Sequence, residues 1–191
     1  MSTVRIGPAA LDHWDIERIA RGEQVAVTAE ALRVVERGQC QLDAMIRDRR
    51  LIYGITTGYG PLAGRYIDPS RAGELQRNLI YHLASGTGPE LDRVVVRAIM
   101  AVRLNTLAQG HSAVRPAALE VLVQWLNADL VPVVPARGTV GASGDLTPLA
   151  HITLALMGEA DVWDNGVRRT GADALAARGW MPLQPEAKDA L

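Results

Sequence analysis

The stretch "PELDRVVVRAIMAVRLNTLAQG", from Pro89 to Gly110, limits the fold more than any other part of the chain. Pro89 suits the first position of a helix and Gly110 suits its end. Between them Val94, Val95, Val96, Ala98, Ile99, Met100, Ala101 and Val102 leave little polar surface. Such a helix is predicted to be buried on several sides. The chain has 191 residues, 48% of them hydrophobic, which is enough for one sizeable core.

The flanking segments fit that picture. "WDIERIARGEQ" reads as a short helix closed by Gly22. "TAEALRVVERGQCQLDAMIRDRR" reads as a longer one, with Thr28 as N-cap and Leu32, Val35, Leu42, Met45 and Ile46 on its apolar side; Gly38 interrupts it. "LIYGITTGYGPLAG" has four glycines and a proline among β-formers and reads as a loop. A helix follows from about Ser70 to Ala84, stopped by Gly86 and Gly88, and another carries Pro116 in its first turn. "VPVVPARG" is an extended connector, "TPLAHITLALMG" a short apolar helix ended by Gly158, and "ADVWDNGVRRTG" a hairpin around Asn165-Gly166. "ADALAARG" makes one further helix. At the end, Pro185, Glu186 and Ala187 look like a helix beginning, and the chain reaches Leu191 without a stop signal, as a truncated or cleaved end would. The sequence reads as mainly α with one small β-hairpin.

A formal net charge of -1 argues against a general affinity for nucleic acid or an anionic membrane. No apolar run is long enough to span a bilayer, and "MSTVRIGPAALDHWD" lacks a signal-peptide core. Cys40 is the single cysteine, so no internal disulfide can form, and a reducing cytoplasm fits. His13 and His111 have no partners at ligand spacing, and no metal site is expected.

The chemistry concentrates in "GTVGASGDLTPLAH", Gly138 to His151. A phosphate loop would need a lysine near its end, and none is present. A hydrolase elbow needs G-x-S-x-G, but here Gly144 directly follows Ser143. Two readings remain: a structural turn before a helix, or a backbone cyclisation. In the second, the Gly144 nitrogen attacks the Ala142 carbonyl carbon. Loss of two waters, one from the Ser143 hydroxyl, leaves a ring with an exocyclic methylene. Gly144 has no Cβ to obstruct attack, Ser143 carries the departing hydroxyl, and Ala142 is small. Asp145 could handle protons during closure or cap the helix starting near Pro148. His151, one turn beyond, is expected to bond to backbone.

"GTVGASGDLTPLAH" closely resembles the signature of the aromatic amino acid ammonia-lyases and aminomutases, and "YGITTGYGPLA" resembles the same family. The resemblance runs from that loop to the hairpin. It implies the fold class: the N-terminal, MIO-bearing domain of the ammonia-lyase (fumarase/aspartase-like) fold, here residues 1–191, cut before a long central helical bundle. It also implies an autocatalytic prosthetic group, 4-methylideneimidazole-5-one (MIO), made from Ala142, Ser143 and Gly144, with Asp145 supporting its formation and no metal.

Further roles follow from the resemblance. Tyr53 would be the base that takes the substrate's β-proton. A free phenol has a pKa near ~10, so it would need neighbouring positive potential. Gly60 would allow close backbone approach to the substrate, whereas Tyr59 is expected only to pack. The pair His82-Leu83 occupies the family's selector position; a His-Leu pair there resembles tyrosine enzymes. A neutral imidazole can hydrogen-bond a phenolic hydroxyl, and Leu83 can press on the ring. Leu146 would line the same pocket. The implied reaction is deamination of L-tyrosine to trans-4-hydroxycinnamate (p-coumarate) and ammonia by a cytoplasmic homotetramer. The alternatives are a tyrosine 2,3-aminomutase, a histidine ammonia-lyase, or a non-catalytic helical assembly piece. Family sites combine three subunits, so the chain alone is expected to be inactive without the remaining polypeptide.

Overall fold

The computed structural model describes residues 3–139 and 146–186. Ala142, Ser143, Gly144 and Asp145 therefore lie outside the described residues, as does Ala187 onward. Among the described residues the fold is seven α-helices with three small sheets.

Helix α4, Arg93–Ala108, is the central rod. Its Val96, Met100, Ala101, Leu104, Leu107 and Ala108 are buried. Around it pack α1 (His13–Ala20), α2 (Ala29–Arg47) and α5 (Pro116–Asn127), which contribute Ile19, Val35, Leu119, Leu122 and Trp125 to one continuous core. Arg97 is the polar member of that core at 1% exposure. Its guanidinium donates to the carbonyls of Ile19, Ala20 and Leu126 and to Asp129 Oδ1, so it closes the C-terminal ends of α1 and α5 together.

Local signals set most of the boundaries. Thr28 Oγ1 accepts from Ala31 N at the start of α2, and Pro116 opens α5. Gly22, Gly110 and Gly158 take positive φ just after α1, α4 and α6 (Leu146–Leu156). The expected interruption at Gly38 does not occur: α2 runs through it. A Cβ there would stand 2.6 Å from the Gly110 carbonyl oxygen, so the glycine lets two backbones approach.

The structure differs from four further expectations. Helix α4 starts at Arg93, with Asp92 as N-cap accepting from Val94 N. Pro89 instead belongs to β3 (Thr87–Glu90), which pairs antiparallel with β5 (Pro135–Arg137). Helix α4 is also less covered than its composition suggests. Val95 and Val102 are exposed and line a groove of about 530 Å3 with Pro148 and Leu149. Sheet content exceeds one hairpin. Strands β1 (Thr3–Ile6) and β2 (Gln24–Val27) pair in parallel across α1. The hairpin itself, β6 (Asp161–Asp164) and β7 (Val167–Thr170), turns at Asn165-Gly166 with positive φ at both, and β6 gains β4 (Leu130–Pro132) as a third strand. Finally, Pro185 and Glu186 are not helical. Helix α7, Gly171–Ala176, closes the order.

Helix α3, Ala72–Leu83, lies against α6, where Ile80 and Met157 are buried together with Leu154 beside them. That pair of helices carries His82, Leu83 and Leu146 among the expected site residues.

Candidate active site

The Tyr53 loop is a compact, internally bonded unit. Ile52 O accepts from the amides of Ile55, Thr56 and Thr57, a tight reversal. The buried hydroxyls of Thr56 and Thr57 satisfy backbone nearby: Thr56 Oγ1 donates to Arg50 O and accepts from Ile52 N, and Thr57 Oγ1 accepts from Gly54 N. Gly54 sits at φ +72, and an added Cβ would overlap the Tyr59 ring. The loop closes by a bridge between Thr57 and Tyr66.

Within this unit the structure joins two of the expected site residues. Gly60 N donates to Tyr53 Oη at 2.9 Å. Gly60 takes φ +52, the left-handed region, which aims its amide at the phenol. The Tyr53 ring meets the Tyr59 ring edge-on, centroids 5.8 Å apart at 90°. Tyr53 is 57% exposed, open to whatever lies above the loop.

Tyr59 does more than pack. Its hydroxyl donates to Gly54 O at 2.9 Å and accepts from Gln76 Nε2 at 2.8 Å. Burial pushes its pKa up, opposed by the Gln76 donation and reinforced by Tyr53, so it stays a protonated donor. Gln76 is the residue sequence reading missed. It is fully buried on α3, and its Nε2 also donates to Gly54 O at 2.9 Å. The available signal was its place as the polar residue on an otherwise apolar face, in helical register with Ile80 and Leu83.

His82 and Leu83 form the last turn of α3. Leu83, seven residues from Gln76, shares its face and is half-buried; His82 is about 100° around the helix and exposed. Leu146, half-buried, is the first residue of α6, which begins two residues before Pro148. The two helix ends are tied together. Gly86 N, three residues beyond α3, donates to His151 Nε2 on α6 at 3.1 Å. That is the expected backbone bond of His151. Burial lowers the pKa of this imidazole, which keeps the accepting nitrogen unprotonated.

Gly138 and Thr147 are bonded to each other and form a neck beside the end of α3. Thr147 Oγ1 donates to Gly138 O at 3.1 Å. A Cβ on Gly138, at φ +151, would lie 2.7 Å from Thr147 Cγ2 and 3.1 Å from Gly86 Cα. Gly138, Thr147, Gly86 and His151 thus come together at the end of α3. Among the described residues no group of three His, Cys, Asp or Glu could hold a metal ion, and no helix is long and apolar enough to cross a membrane.

The family model described as aromatic amino acid lyase matches residues 11–191. The chain belongs to the aromatic amino acid lyase family. It is 44% identical over 171 residues to a tyrosine ammonia-lyase of Cereibacter sphaeroides, covering 89% of this chain and 33% of that protein. It is also 44% identical over 178 residues to a histidine ammonia-lyase of Gloeobacter violaceus, covering 93% of this chain and 35% of that one. The crystal structure of a tyrosine aminomutase from Streptomyces globisporus superposes with a TM-score of 0.92 at 38% identity, covering 100% of this chain and 36% of that chain. The mainly helical fold is thus the ammonia-lyase/aminomutase fold. The chain spans about a third of the length of the relatives it matches.

Proposed function

We propose that residues 1–191 form the N-terminal, MIO-bearing part of an enzyme that deaminates L-tyrosine to trans-4-hydroxycinnamate and ammonia. The observation that carries this reading is the fixed Tyr53 phenol, held by the Gly60 amide in a chain that belongs to the aromatic amino acid lyase family. The MIO group, formed from Ala142, Ser143 and Gly144, would supply an electron-poor alkene toward the substrate amine; Asp145 would assist its formation. Tyr53 takes the β-proton on its Oη. The Gly60 N–H already occupies one lone pair of that oxygen, which fixes the direction of the other. Leu83 and Leu146 exclude water from the ring, and His82 offers an imidazole to the substrate's hydroxyl. The remaining polypeptide and further subunits of a homotetramer in the cytoplasm would complete the site, so the chain alone turns over no tyrosine.

Histidine is the second substrate reading, because histidine ammonia-lyases match this chain as closely as the tyrosine enzyme does. His82-Leu83 is the feature that favours tyrosine. A tyrosine 2,3-aminomutase would share every residue named so far and differ only in product.

Intact mass of the purified chain tests the first step. Cyclisation removes two waters from the encoded mass, and Ser143→Ala restores an uncyclised chain. An unreduced mass in the native chain, once joined to its remaining polypeptide and active, would sink the MIO assignment. Product analysis of that completed enzyme separates the rest: 4-hydroxycinnamate for the proposal, urocanate for the histidine reading, β-tyrosine for the aminomutase. His82→Phe is expected to move preference toward phenylalanine; unchanged preference for tyrosine rejects His82 as selector.

A further inference from the structure

We propose that Gln76 is a positioning residue for the Tyr53 phenol, acting through the Gly54 carbonyl and the Tyr59 ring. The inference rests on the reading of Tyr53 as the base, because only a reacting phenol needs such placement.

Gln76 is completely buried on a helix face otherwise made of Ile80 and Leu83. A buried amide at an apolar position is unfavourable unless its polar atoms are bonded. Here both bonds of Nε2 go to the Tyr53 loop, to Gly54 O at 2.9 Å and Tyr59 Oη at 2.8 Å. Tyr59 Oη donates in turn to the same Gly54 carbonyl. The three groups close a triangle between α3 and the loop.

Two corners of that triangle adjoin what fixes Tyr53. Gly54 is its covalent neighbour and turns the chain at φ +72. Tyr59 sets the ring edge against which Tyr53 rests, and its covalent neighbour Gly60 donates to Tyr53 Oη. Gln76 therefore governs both ends of the phenol: the backbone it grows from and the amide its oxygen meets. Its remaining atom argues the same way. Gln76 Oε1 is buried with no partner among the described residues. An aliphatic side chain would fill the position without stranding an acceptor, so the two N–H bonds are what the glutamine is there for.

Hydrogen exchange of the 15N-labelled 191-residue chain tests this without any turnover. In Gln76→Met the Gly60 amide is expected to exchange about tenfold faster, while core amides such as Leu104 and Leu119 hold their rates and the Tyr53 ring resonances shift. Unchanged Gly60 exchange in a folded Gln76→Met overturns the proposal. So does a uniform acceleration of all amides, which marks Gln76 as general core support. Should Gln76→Met fail to fold, Tyr59→Phe decides. It keeps the ring but removes one corner of the triangle, so selective acceleration of Gly60 supports the proposal and none rejects it. Tyr53→Phe in the completed enzyme tests the base separately, since loss or survival of turnover there says nothing of how the phenol is placed.

Discussion

Replacing Gly54 with alanine isolates the energetic root of the Tyr53 loop. The backbone at φ +72 is left-handed, which costs a residue with a Cβ about 1–2 kcal/mol. The added methyl would stand 3.0 Å from Tyr59 Cζ and closer still to Cε1. The ring cannot yield without giving up its bonds to Gly54 O and Gln76 Nε2. Stranding a buried donor or acceptor costs about 1–3 kcal/mol. Gly54→Ala should therefore destabilise the chain by about 3 kcal/mol or more, a large part of the total stability of a domain this size. Gly60→Ala is the matched control. It too is left-handed, at φ +52, but an added Cβ meets nothing within 4 Å. It should cost only about 1 kcal/mol. Urea denaturation of both variants, with equal slopes, measures the difference. A second readout is optical. Burial raises the Tyr59 pKa, so expelling the ring in Gly54→Ala should let that phenol ionise at lower pH than in the native chain. Equal costs at the two glycines, with no change in tyrosinate formation, would refute the packed-loop account.

Other expectations follow from the same geometry. Arg97→Met leaves the Ala20 carbonyl without its donor and should cost about 3 kcal/mol in chemical denaturation. That is the lower end for a broken buried pair, because Asp129 keeps Arg93 and some solvent. Gly38→Ala should destabilise by about 1–2 kcal/mol although alanine is the better helix former, because its methyl meets the Gly110 carbonyl; a more stable variant would refute the close contact. The pKa of His151 is depressed in the folded chain, so its contribution to stability is present above the ordinary histidine value of ~6.5 and is lost as pH falls through the lower folded value. The slope of stability against pH in that acid window should shrink in His151→Gln.

Features held by neighbouring residues were legible in the sequence. Thr28 as a cap, Pro116 as a helix start, Asn165-Gly166 as a hairpin turn and Gly110 as a stop all depend on atoms a few residues away. Features set by distant partners were not. Pro89 obeys the local rule for starting a helix, yet Leu91 N donates to Val134 O and β5 draws this stretch into a strand, so the helix waits for Asp92. Strands β1 and β2 are four residues each and exist only because they pair with each other. Tyr53 and Gly60 were singled out only through the resemblance of their loop to the ammonia-lyase family, whereas Gln76 looked like one more polar residue on a helix. Its role depends on a loop some twenty residues earlier folding back onto it.

Helix α3 links the described parts of the separate sequence motifs. Near its middle Gln76 grips the Tyr53 loop. Seven residues on, about 10 Å along the axis, Leu83 stands on the same face. Just past the end, Gly86 is bonded to His151 and crowds the Gly138–Thr147 neck that leads to Ala142-Ser143-Gly144. Tyr53, Leu83 and the Gly138–Thr147 neck are thus referred to one rigid rod. A shift of α3 along its axis would move Tyr53 relative to the neck only if the Gln76 or the Gly86 attachment broke. The two attachments therefore have different consequences. Loss of the Gln76 grip frees Tyr53 but leaves the neck shut, whereas loss of the His151 bond loosens the neck and leaves Tyr53 in place. Intact mass reports the second and Gly60 exchange the first, so Gln76→Met should still lose its two waters, and His151→Gln should keep its Gly60 amide protected.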